Sequence, residues 1–149
     1  MTPEVVVSAD RSPGPFGYFP QELVARFLVN RRRLVRLEWK LAYIRGNGVE
    51  HIAPRGFECD GGSIPRAAWW LIGHPLDGEF VRSCVIHDWL CKLAREQKED
   101  VEVSPGVWER PTRGHADSVF LEALRCEGLP EWKARAMYSA VRVGAIWKR

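Results

Sequence analysis

Apolar positions recur at helical spacing in two long stretches of this chain. In FVRSCVIHDWLCKLA, residues 80–94, Phe80, Cys84, His87 and Cys91 fall on one stripe. In RGHADSVFLEALRC, Asp117 lies in line with Phe120, Leu121 and Leu124, with Arg113 one turn earlier. The spacing predicts helices over about 79–95 and 113–127, the second stopping near Gly128, Leu129 and Pro130. A last helix follows from residue 131, placing Trp132, Ala136, Ala140, Val143 and Trp147 on one face.

Upstream the period changes to two. LVRLEWKLAYI, residues 34–44, alternates like a strand, Gly46-Asn47-Gly48 marks a turn, and VEHIAP returns as its partner. Residues 21–29 read as a short helix, and the proline- and glycine-bearing residues 1–20 as an extended arm. Ser63 is a good N-cap, with Pro65 in the first turn of a short helix running to Gly73. Within 101–109, VEV-SPG-VWE has the form of a small exposed hairpin. The expected architecture is α+β and a single domain over 1–149. A small N-terminal antiparallel hairpin or sheet packs on three longer helices plus one short helix.

Composition narrows the function. With 149 residues, 46% hydrophobic and 28% charged, the chain reads as one globular domain with a real core. Its net charge of +3 is too weak to point to nucleic acid. The local cluster of Arg31, Arg32, Arg33 and Arg36 reads as a solvated turn. No apolar run is long enough for a membrane span, and no signal-peptide layout is present, so synthesis in the host cytoplasm is expected. Cys84 and Cys91 stand two helical turns apart, about 10 Å along the axis, too far for a disulfide. Free thiols are therefore expected at Cys59, Cys84, Cys91 and Cys126. A zinc site using Cys84 and His87 with Cys59 or Cys91 is the alternative, although paired CxxC knuckles are missing.

Two constellations carry chemistry. If the apolar faces of the first two long helices meet, His87 can hydrogen-bond Asp117. A carboxylate on one imidazole nitrogen makes the other a better base. Arg113 would hold that carboxylate. Asp88, rotated about 100° from His87, could hold a cation or a substrate group. The alternative is a buried His–Asp–Arg network that only joins two helices. The second constellation is the loop around Asp60, Gly61, Gly62 and Ser63. Its glycines allow close backbone approach, and its amides at a helix start favour an anion or oxyanion. Asp60, with Asp88, would instead suit a divalent cation such as calcium or zinc. A plain tight turn with an N-cap is the other reading of the loop. His115 and His74 read as exposed, and His51 falls in the return strand.

With these residues in view, the chain resembles a phage and prophage family catalogued as domain of unknown function 1353. The matching elements are GFECDGGSIPRAAWWLIG, VIHDWL, RGHADSVFLEAL and AMYSAVRVGAIW, in order over residues 34–147. The resemblance places recurring polar positions on Asp60, Gly61, Ser63, Pro65, Arg66, His87, Asp88, Arg113 and Asp117. It implies a phage gene product, made in the host cytoplasm and incorporated in the virion or tail. Its partners would be other phage proteins or a host envelope component. The CVIHD run also resembles the CxxHD of secreted phospholipases, which pair that histidine with an aspartate on the next long helix. Their disulfide frame is missing here, so the likeness is one of chemistry.

Two functions follow as expectations. In a hydrolase acting on an ester, amide or phosphodiester, His87 is general base oriented by Asp117, while Gly61, Gly62, Ser63 and Arg66 bind substrate. In a non-catalytic virion, tail or host-interacting protein, the same cluster is a stability network. Access of His87 to solvent through a cleft separates them.

Overall fold

The computed structural model describes residues 4–9, 13–28, 34–59, 80–96 and 99–147. The glycine segment, the short helix expected at 63–73, and Arg31, Arg32 and Arg33 lie outside the described residues.

Eight strands and three helices make up the described fold: β1 Glu4–Val7, β2 Leu23–Leu28, β3 Leu34–Leu37, β4 Leu41–Ile44, β5 Glu50–Ala53, β6 Glu58–Cys59, β7 Val101–Ser104 and β8 Val107–Glu109. The helices are α1 Val81–Glu96, α2 Arg113–Cys126 and α3 Glu131–Trp147. An antiparallel sheet in the order β1-β2-β3-β6 is joined by the pairs β4-β5 and β7-β8. The arrangement is α+β, as the periodicities predict.

Two expectations on the strand side are corrected. Within the segment expected to be a helix, Leu23–Leu28 is a strand, with β1 on one edge and β3 on the other. A short apolar run fits either period, and here Leu23 and Ala25 alternate into the core while ladders on both sides satisfy the backbone. Within the extended arm, β1 pairs Val6 with Val24. Residues 34–44 are not one strand. The chain bends after Leu37, so β3 joins the large sheet and β4 turns away to pair with β5, Tyr43 opposite His51.

Gly17 seats the arm against this second pair. It has φ of 89°, and a Cβ there would lie 1.9 Å from the Ile44 carbonyl oxygen. Only glycine allows Tyr18 to exchange backbone hydrogen bonds with Ile44 at 2.9 and 3.0 Å.

The helices stack on the sheets through α1, which touches β4, β5 and β6 and packs on α2, which packs on α3. Val85, Ile86 and Val119 join Leu23, Val35, Leu41 and Tyr43 in one core. Phe80, Cys84, Phe120, Leu124, Met137 and Val141 form a second, between the helices. The expected inner face of α3 is corrected: Trp132 is 62% exposed and Val143 is exposed, whereas Ala134, Met137 and Val141 are buried. The packed stripe of Ala134, Met137 and Val141 is offset from the one that carries Trp132 and Val143. All four cysteines are free. No described helix is long and apolar enough to cross a membrane.

Candidate functional site

The first two long helices bring the expected pair together. His87 Nε2 lies 2.6 Å from Asp117 Oδ1, and the two residues are 1% and 0% exposed. The local pattern explains the placement. Phe80, Cys84, His87 and Cys91 all bury on one stripe of α1, and Asp117 buries on α2 beside Phe120. The imidazole stacks near the Phe120 ring, 4.5 Å between centroids.

Asp117 is held by three side chains. Besides His87, Oδ1 accepts from Arg113 Nε at 3.2 Å, one turn earlier on the same helix. Oδ2 accepts from Arg142 Nη1 at 2.9 Å. Arg113 also donates to the Val141 carbonyl oxygen, tying α2 to α3. Burial works against charge on both partners. For His87 it is outweighed by the Asp117 hydrogen bond, Cys91 and Asp88, and the imidazole is raised to about 9. For Asp117 it is outweighed by His87, Arg142 and Arg113, and the carboxyl is lowered. The pair is thus an imidazolium–carboxylate ion pair at neutral pH.

Asp88 stands one position along the helix and is half-buried, near enough to push up both His87 and the Cys84 thiol. Cys91, not Cys84, reaches the imidazole, with Sγ 3.5 Å from Nε2. His87, Cys91 and Asp117 offer three ligand atoms within 4.8 Å of one another. The arginines already occupying Asp117 leave that carboxylate poorly available to a cation. Asp60, Gly61, Gly62, Ser63 and Arg66 lie outside the described residues.

A second buried carboxylate fastens the same helices. Glu127 Oε1 accepts from the Ser83 amide at 2.8 Å, and Oε2 accepts from Arg82 Nε at 3.2 Å. Ser83 therefore meets Glu127 while His87 meets Asp117, so the helices run in opposite directions and are clasped at two levels.

Sequence patterns missed a different cluster. His51 on β5, Glu109 at the end of β8 and His115 in the first turn of α2 converge beside a cleft of about 250 Å³, which Trp89, Leu90 and Leu93 also line. His87 and Asp117 do not line this cleft. His115 Nε2 is 2.6 Å and His51 Nε2 is 4.0 Å from Glu109 Oε2. His115, expected to be exposed, is half-buried. Burial, then His115 and Arg45, lower His51 to about 4, so its ring is neutral. No local motif announces the cluster, because its members stand 58 and 6 residues apart (51 to 109, 109 to 115). The histidine in an alternating strand was the available hint. Arg142 was likewise missed, since nothing in its own helix distinguishes it.

Residues 35–141 match the family described as protein of unknown function DUF1353. An uncharacterized protein, y4jT, of Sinorhizobium fredii (strain NBRC 101917 / NGR234) is 31% identical over 134 residues, covering 89% of this chain and 35% of that protein. A second from the same strain, y4iH, is 30% identical over 105 residues, covering 70% and 38%. The chain thus spans little more than a third of the length of these relatives. No solved structure matches. The chain belongs to the DUF1353 family.

Proposed function

We propose that the His87–Asp117 centre serves the fold, and that the domain is a non-catalytic module: a virion or tail component, or a host-interacting protein of phage origin. The burial of the pair carries this reading. A general base must reach substrate with a free lone pair, whereas His87 is 1% exposed and cationic at neutral pH. Asp117 is itself buried and held by His87 and two arginines.

The test pairs stability with activity on His87→Gln. Removing one partner of a buried network should lower the melting temperature by several degrees, about 1–3 kcal/mol, while ester, amide and phosphodiester substrates are not turned over by either protein. Turnover by the native chain that disappears in His87→Gln at unchanged melting temperature would falsify the reading.

A second reading keeps the hydrolase, and the 2.6 Å imidazole–carboxylate contact favours it. Asp117 takes Nε2, so Nδ1 would be the base, with Asp60 to Ser63 supplying a cation or oxyanion site and Arg66 a substrate contact. A divalent cation at Asp60 and Asp88 would belong to this reading alone. Carbethoxylation mapped by mass spectrometry separates the two. A catalytic His87 reacts, while the sealed ion pair does not.

A further inference from the structure

We infer that His51, Glu109 and His115 form a binding site for a divalent first-row transition metal of the zinc type, separate from the His87–Asp117 centre and open to a cleft. Three separate elements bring one ligand atom each to within 4.8 Å of the others. A tetrahedral metal with bonds near 2.0–2.1 Å spaces its ligand atoms about 3.3 Å apart. The separations of Glu109 Oε2 from His115 Nε2 and His51 Nε2, 2.6 and 4.0 Å, bracket that spacing. Small side-chain rotations suffice to even them.

The second, independent observation is unmet polarity. Five buried side-chain nitrogen or oxygen atoms among the described residues have no hydrogen-bond partner, and His51 Nε2, Glu109 Oε2 and His115 Nε2 are three of them. His115 and Glu109 approach closely without hydrogen-bond geometry, and neither nitrogen of His51, 3% exposed, has a partner. Leaving such groups unmet in the interior is costly. One cation at the point where they converge would satisfy all three.

The donor set selects the ion. Two imidazoles and one carboxylate suit zinc and its neighbours, whereas calcium and magnesium need all-oxygen shells. Support from behind is in place. Arg45 Nη1 lies 4.0 Å from Glu109 Oε1, the oxygen turned away from the histidines. The Thr112 side chain caps α2 by accepting from the His115 amide at 3.0 Å, which fixes that turn. Among the described residues three side chains converge, and the cleft of about 250 Å³ leaves the fourth position to water or a small ligand.

The experiment uses the untagged full chain, stripped with chelator and titrated with zinc chloride by calorimetry. One ion per chain with micromolar or tighter affinity is expected. Glu109→Gln, which keeps shape and fold, and His115→Ala should each weaken binding beyond the roughly 10–100-fold typical of lost outer-shell partners. Cobalt(II) should give tetrahedral visible bands without a thiolate charge-transfer band. Failure of the stripped chain to bind either ion overturns the site, as does unchanged affinity in Glu109→Gln. A thiolate band that disappears in Cys91→Ser places the ion at His87, Cys91 and Asp117 and overturns it as well.

Discussion

Arg142, on α3, donates from Nη1 to Oδ2 of Asp117 on α2 across 2.9 Å, so a single carboxylate binds all three helices together. Asp117→Ala leaves the imidazolium and two guanidinium groups facing an apolar gap. Loss of one partner from a buried pair costs about 3–5 kcal/mol. Arg142 is 43% exposed and rehydrates when its partner is gone. Arg142→Ala should cost roughly 1 kcal/mol or less. Urea denaturation of the two variants measures both, and equal losses would contradict the asymmetry.

Stability should fall on the alkaline side earlier than the cysteines and tyrosines require. His87 is raised from about 6.5 to about 9, so its contribution is fully present below about 6.5 and is lost as pH rises through 9. The slope in that window approaches about 1.4 kcal/mol per pH unit. The buried Cys84 thiol is also pushed up, by burial and then Asp88, but it bears on stability only above its ordinary value of 9.0. Melting temperature followed from pH 6 to 9 should decline in the native chain and stay flatter in His87→Gln. On the acid side Asp117, whose carboxyl is lowered, loses its contribution as pH falls below the ordinary 3.8.

Gly17→Ala should be among the more damaging small substitutions. Its Cβ would stand 1.9 Å from a backbone oxygen, at a φ of 89° that L-residues rarely adopt. Strain of about 1–3 kcal/mol from the backbone alone adds to loss of the Tyr18–Ile44 bonds. Gly48→Ala, with φ of 87° but open space around it, should cost less. Thermal unfolding of the two variants isolates the close approach from the dihedral angle.

The offset of the α3 face has its own check. Met137 is fully buried and Trp132 is 62% exposed. Met137→Ala should cost about 2–5 kcal/mol, and Trp132→Ala should stay within about 0.5 kcal/mol of the native chain. A reversed order would restore the tryptophan stripe as the packed face.

What could be read from residues alone was whatever depends on neighbours three or four apart. The three helices, the limits of the middle one at about 113 and 127, the turn at Gly46 to Gly48 and the hairpin at 101–109 are local. So is the fact that His87 and Asp117 point inward, and their meeting follows once two apolar faces must cover each other. Tertiary structure alone decided the rest. Leu23–Leu28 became a strand because β1 and β3 flank it, and residues 34–44 split because their halves found different partners. Arg142 and the His51–Glu109–His115 cluster depend on where distant segments come to rest. Helical contacts repeat with the chain's own period, whereas sheet pairing and converging ligands are set by long-range packing, which leaves no periodic mark on the sequence.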